Sequence, residues 1–211
     1  MTTVASNSPH NNNLFPFEFT PQATQDTDLL RQLNFIPGLK ELLILRQVHA
    51  LEHATVWVLS ENPGQTPRQT HPIDNQLLGG MSTDRGFYLY GRVNIHDLQR
   101  AVRTAITRIT NGEWELAVHP RCGTNLSVAM LLTASLSLGL HIFLPKWPLI
   151  QIVGISVAAT TAARLAPDLG SIAQKYLTTA IPFNLVIENI SLTQDIWGRP
   201  AHFVRVRWVE N

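Results

Sequence analysis

The chain has 211 residues, enough for one domain of ordinary size, with a formal net charge of +1 and only 15% charged residues. Soluble domains average about 25% charged residues, so this composition suits a protein partly in a membrane. It shows no basic stripe of the kind that holds nucleic acid. A single cysteine, Cys122, excludes an intrachain disulfide.

Residues 1–26 read as a polar arm rich in Ser, Thr, Asn, Gln and Pro, in which Phe15, Phe17 and Phe19 give loose docking points. The arm holds no apolar core of a signal peptide. A short helix is expected at Asp28–Gln32. Pro37-Gly38 then opens a long helix, Leu39–Ser60, which Asn62-Pro63-Gly64 ends.

That long helix carries His49-Ala50-Leu51-Glu52-His53. Residues four apart share a helix face, so the two imidazoles stand one turn apart, and Glu52 reaches the same face. Two such imidazoles can grip one metal ion, and a carboxylate beside them can take a proton from water on it, the logic of His-x-x-Glu-His metalloenzymes. Leu42, Leu45 and Val56 fall on the same side, so the face is expected to point inward. The plain alternative is a His/Glu hydrogen-bond network in a core helix.

After a polar loop containing His71, the segment Phe87–Gly91 reads as a strand. Asn94 caps the next helix, with Asp97 as a box partner, and Leu98, Val102, Ala105, Ile106 and Ile109 form its apolar face. Trp114–Val118 reads as a second strand that delivers the chain to His119-Pro120-Arg121-Cys122-Gly123-Thr124. His119 or Cys122 can complete a three-ligand set, and Arg121 can hold a carboxylate, an anionic head group or a substrate. Glu113 and Glu115 are further candidates. His141 reads as a helix-contact residue; His10, His96 and His202 have no company.

Thr124–Leu144 is 21 residues without a charge, the length of a membrane span. Pro145-Lys146-Trp147-Pro148 turns the chain into a second uncharged run, Leu149–Ala163, bounded by Arg164. At 15 residues this run is short for a span and needs Trp147 and a snorkelling Arg164. Arg103, Arg108, Arg121, Arg164 and Lys175 lie on the side of the termini, and Lys146 alone on the other, which places the termini and the site in the cytoplasm. Pro167 is expected to start a separate amphipathic helix along the membrane. Phe183–Leu192 and Ala201–Val209 alternate as a β-hairpin, pairing with the earlier strands in one sheet.

The expected fold is thus an α+β membrane protein, with a long central helix and a small mixed or antiparallel sheet beside a two-helix transmembrane hairpin. Its parts are the arm 1–26, a cytoplasmic α/β part 27–123, the hairpin 124–164, and an amphipathic helix with the C-terminal β-hairpin, 165–211.

His49–Thr55 (HALEHAT), Phe87–Gly91 (FYLYG) and His119–Leu126 (HPRCGTNL), leading into a membrane hairpin, resemble an uncharacterised bacterial family of membrane proteins. A related family of predicted metal-dependent enzymes carries similar HxxEH and HPRCGT segments. The resemblance covers Leu39 to Thr179 and implies a metal-dependent membrane protein with His49, Glu52, His53, His119 and Cys122 as functional positions. It brings no substrate.

The expected function is a membrane-anchored zinc hydrolase of peptidase type. His49 and His53 bind Zn2+ with His119 or Cys122, Glu52 is the general base and Arg121 steadies an oxyanion or substrate. Its partners are the lipid bilayer and a membrane protein or peptide substrate. The alternatives are a non-catalytic module stapled by metal and, more distantly, tetrapyrrole or haem binding through a histidine beside the membrane.

Overall fold

The computed structural model describes residues 20–61 and 77–210. The expectations for the arm up to Phe19, with His10, and for the loop with His71 lie outside these residues. Helix α1 (Gln25–Gln32) begins three residues before the expected start, and α2 (Leu39–Ser60) has the bounds its breakers dictate. Gly38, at φ 79°, lets the chain turn into α2 where a side chain would be strained.

Four strands form one antiparallel sheet, β1 (Gly79–Thr83), β2 (Gly86–Tyr90), β3 (Leu185–Gln194) and β4 (Pro200–Trp208), in the order β1-β2-β4-β3. The C-terminal hairpin therefore joins the earlier strands through β4. At its tip Asp195 accepts the amides of Trp197 and Arg199 and the hydroxyl of Tyr90. β1 is a strand that residue patterns did not announce: Gly-Gly-Met-Ser-Thr has neither alternation nor a β-branched run.

Helix α3 (Ile95–Thr110) is capped by Asn94, whose side chain accepts the amide of His96. Asp97 makes no box; it pairs with Arg100 instead. Val48, Leu51 and Ala54 of α2 pack with Leu98, Val102 and Ile109 of α3 and with Phe87, Leu89 and Val204 of the sheet, all fully buried. This core is one layer of helices on one sheet.

Trp114–Ala117 is a 3₁₀ turn rather than a strand. Leu116 and Ala117 are buried side by side, which alternation forbids. Gly112, at φ 113°, and the Arg108–Glu113 ion pair at 2.6 Å fold the chain back tightly just before it.

Helix α4 (Gly123–Phe143) and helix α5 (Pro148–Ala173) form an antiparallel pair. α5 does not stop at Arg164. It runs through Pro167 and continues as a π-turn, Gln174–Thr178, so the expected short run and separate amphipathic helix are one element. Proline at 167 removes one backbone bond and fixes a φ that a helix already has, and apolar helices tolerate this where neighbours meet the freed groups. Gly154, Ala158, Ala162, Ala166 and Gly170 recur every fourth residue and are the buried positions of α5. The stripe lets the backbones approach closely: a Cβ on Gly170 would stand 2.1 Å from Asn125 Oδ1. His141 Nδ1 meets Gln151 Oε1 at 2.9 Å across the pair.

The two helices, Gly123–Phe143 and Pro148–Thr178, are each long and apolar enough to cross a membrane. Their remaining faces are open, with Leu126, Met130, Leu131, Leu138, Ile152 and Val153 all exposed.

Ala162 is fully buried in the stripe. Ala162→Leu is expected to destabilise the helix pair by about 1–3 kcal/mol through overpacking. Thermal unfolding in detergent checks this, with Leu131→Ala on the exposed flank expected to shift the midpoint little.

Candidate metal centre

Three chain segments meet on one face of α2. His49, Glu52 and His53 come from its middle turns. The 3₁₀ turn with the His119–Cys122 loop, and the π-turn ending α5, meet them there and are bonded to each other. The loop is held by fully buried Gln174, whose Oε1 accepts the amide of His119 at 2.8 Å while its Nε2 donates to Asn125 Oδ1 at 2.7 Å. Asn125 Nδ2 in turn donates to the carbonyl of Pro120. Cys122 is the N-cap of α4, and its Sγ accepts the amide of Thr124.

The imidazoles are oriented by backbone carbonyls. His49 Nδ1 lies 3.0 Å from the Thr178 carbonyl oxygen, and His53 Nδ1 lies 2.6 Å from that of Ala117. A carbonyl only accepts, so each Nδ1 donates, which leaves Nε2 as the ring nitrogen that can ligate. This outer-shell bond also fixes tautomer and ring plane in metal-ligating histidines. His49 Nε2 faces Cys122 Sγ at 3.1 Å. One ligand atom from each of His49, His53 and Cys122 lies within 4.8 Å of the others, a group that could hold a metal ion. Bonds of about 2.0–2.3 Å at tetrahedral angles put ligand atoms about 3.3–3.7 Å apart, so small side-chain shifts suffice.

His119 stands beside this group. Its ring centroid is 5.6 Å from that of His53 and 4.7 Å from Trp57, and its Nδ1 accepts the amide of Arg121. Glu113 is engaged by Arg108, and Glu115 lines a different cavity. Arg121 lines the same cavity as the three ligands.

Glu52 is held from the sheet. Ser82 Oγ donates to its Oε2 at 2.5 Å. Gly80, two residues earlier on the same face of β1, supplies the space: a Cβ there would lie 2.1 Å from Oε1. Reading the sequence missed both residues, and the Gly-Gly pair just ahead of Ser82 was the only visible sign. Burial pushes the Glu52 carboxyl above its usual range, while the Ser82 hydrogen bond and the charge of His49 pull it down.

The inward-facing expectation holds for Glu52 and His53, which are buried, but not for Leu42 and Leu45. Those leucines are exposed and border a cavity of about 780 Å³, which also holds His49, Glu52, His53, Met81, His119, Arg121 and Cys122. They face the same side as the site, but among the described residues no element covers that part of α2.

Burial, then the nearby His49, lower the pKa of His53 to about 3, so its imidazole is neutral and ready to coordinate. Burial pushes the Cys122 thiol up, so it carries its proton until a metal displaces it.

The family model described as Domain of unknown function (DUF6391) matches residues 44–190, which contain every one of these ligands. The chain belongs to that family. An uncharacterized protein of Picosynechococcus sp. (strain ATCC 27264 / PCC 7002 / PR-6) is 55% identical over 190 residues, covering 90% of this chain and 92% of the relative. No solved structure gives a significant match.

Two outcomes test the centre. Metal uptake at neutral pH is expected to release about one proton, from Cys122, visible as a buffer-dependent binding heat; Cys122→Ser removes the release and weakens binding by more than the roughly 10–100-fold that outer-shell changes cost. In the metal-free protein, His53 stays neutral down to about pH 3 when folded but charges near 6.5 when unfolded. Its contribution to stability is therefore lost as pH falls from 6.5 toward 3, by up to about 1.4 kcal/mol per unit. Glu52 has the opposite sign, since its raised pKa favours folding at low pH. Denaturant titrations of Glu52→Gln with and without His53→Gln isolate the histidine slope.

Proposed function

We propose that this protein is a membrane-anchored, zinc-dependent hydrolase of peptidase type. One observation carries the reading: two imidazoles with their Nδ1 protons tied to carbonyls and one thiol converge in a cavity that also holds the tethered carboxylate of Glu52. Two nitrogens and a sulfur suit zinc, and three protein ligands leave the open fourth position that catalytic sites keep and structural sites fill. That open position favours catalysis over the stapling role.

His49, His53 and Cys122 would hold the metal, which would supply Lewis-acid chemistry toward a carbonyl and water. Glu52 takes the proton of the attacking water as its oxygen bonds to the substrate carbonyl carbon. Glu52 then returns that proton to the leaving amine nitrogen as the C–N bond breaks. Ser82 and Gly80 hold the carboxylate in place, and Arg121 answers negative charge developing on the carbonyl oxygen.

Anchoring in a bilayer rests on the helix pair. Water would face bare leucines and valines along both helices, whereas a bilayer satisfies them. The 21 residues of α4 measure about 31 Å, close to the hydrocarbon thickness of about 30 Å. Arg121 and Lys175 at the ends where the site lies, against Lys146 at the turn, support a cytoplasmic site under the positive-inside rule. The resemblance of the His49–His53 and His119–Thr124 segments to the HxxEH and HPRCGT segments of predicted metal-dependent enzymes supports the same reading.

Glu52→Gln decides between catalysis and stapling. The variant is expected to keep its metal and lose cleavage of a fluorogenic peptide pool by about 10²–10⁴-fold. Gly80→Ala, which drives a methyl into Glu52, is expected to do the same. Unchanged function with metal retained would establish the stapling role.

A further inference from the structure

The substrate has to reach a cavity bounded on one side by a strand edge. β1 pairs with β2 and is an end strand of the sheet, so its second edge carries no strand among the described residues. Leu78, Gly79, Gly80, Met81 and Ser82 line the cavity that holds the metal ligands, and no residue of β2 does. An open edge presents unpaired amides and carbonyls, which proteins ordinarily guard.

The opposite edge is guarded here. β3 carries a register shift between Ile187 and Asn189 and the Glu188–Arg207 ion pair beside it. β1 has no shift and no charge, and two consecutive glycines, both exposed, leave its surface bare. The strand is also mechanically joined to the chemistry, because Ser82 holds Glu52.

Beside Arg46 and Arg121, the cavity lining carries exposed leucines from α2 and from the end of α5. Leu42 is 53% exposed, Leu45 37%, and Leu177, at the end of α5, 71%. Leucines in these positions match a ligand that arrives from lipid.

We propose that β1 is the docking strand of the substrate, and that the substrate is an extended stretch of polypeptide emerging from the bilayer. It adds to the open edge by main-chain hydrogen bonds, lays apolar side chains against Leu42, Leu45 and Leu177, and brings a peptide bond to Glu52. An acyl chain alone accounts for the leucines but leaves the bare edge unexplained. The inference rests on the hydrolase reading for its last step only.

The test uses the full-length, metal-loaded Glu52→Gln protein in vesicles, which binds without turnover. The probe is a palmitoylated pool of randomised octapeptides. Hydrogen exchange of the amides in β1 is expected to slow at least about tenfold with this pool. It is expected not to slow with a pool N-methylated at alternate amides, or with palmitic acid. Gly79 has no atom within 4 Å of an added Cβ and an unstrained backbone, so Gly79→Lys folds normally; it is expected to keep the metal and lose the protection. No protection by the first pool, equal protection by palmitic acid or by the methylated pool, or protection that survives Gly79→Lys would each overturn the inference. The hydrolase reading fails separately, if β1 is protected but wild type cleaves the pool no faster than Glu52→Gln.

Discussion

The two Nδ1–H···O=C bonds, from His49 to Thr178 and from His53 to Ala117, are the contacts on which the rest depends. Each joins the central helix to a different segment: the π-turn ending α5, and the 3₁₀ turn leading into the Cys122 loop. Each also leaves Nε2 as the ring nitrogen that can ligate. The His49 bond, with those of Arg46 to the carbonyls of Tyr176 and Thr179, docks the end of α5 onto α2, and the two imidazole bonds together orient the candidate ligand atoms. Burial supports the preparation by keeping His53 neutral.

Around that pair, irregular structure supplies the precision. The π-turn brings the carbonyl of Thr178 to His49, and π-turns recur at functional sites because they re-aim backbone groups. The 3₁₀ turn does the same with the carbonyl of Ala117. Gln174, buried without charge and bonded at both ends of its amide, fixes the loop between them. Glu52 is restrained from the sheet, through Ser82 and the space at Gly80, so the carboxylate and the candidate ligands are oriented by separate elements. Under the proposed function this separation matters: the carboxylate can be disturbed without loosening the metal.

Much of this was legible in the sequence. Helix α2 declared itself by the breakers at Gly38 and Pro63, α3 by its cap and apolar face, and the helix pair by two adjacent uncharged runs, the second of them short. His49, Glu52 and His53 followed from spacing alone. The misreadings have local causes. Trp114–Val118 has strand-like composition, but the reversal at Gly112 and the Arg108 pair bend it into a turn. Pro167 looked like a helix start because a lone proline carries no mark of the helix running through it. β1 was hidden because glycines that make room for Glu52 look the same as glycines of a turn. His119 and Cys122 could not be ranked, since which of them faces His49 depends on how Gln174 holds the loop, a contact 55 residues away.

X-ray absorption on the purified protein tests the central claim most directly. The account predicts about one zinc per chain with two nitrogens, one sulfur and one light oxygen ligand, the sulfur lost in Cys122→Ser and the metal lost in His49→Ala/His53→Ala. A wild-type protein that holds no metal, or a metal whose shell contains no sulfur and survives the double substitution, would contradict it.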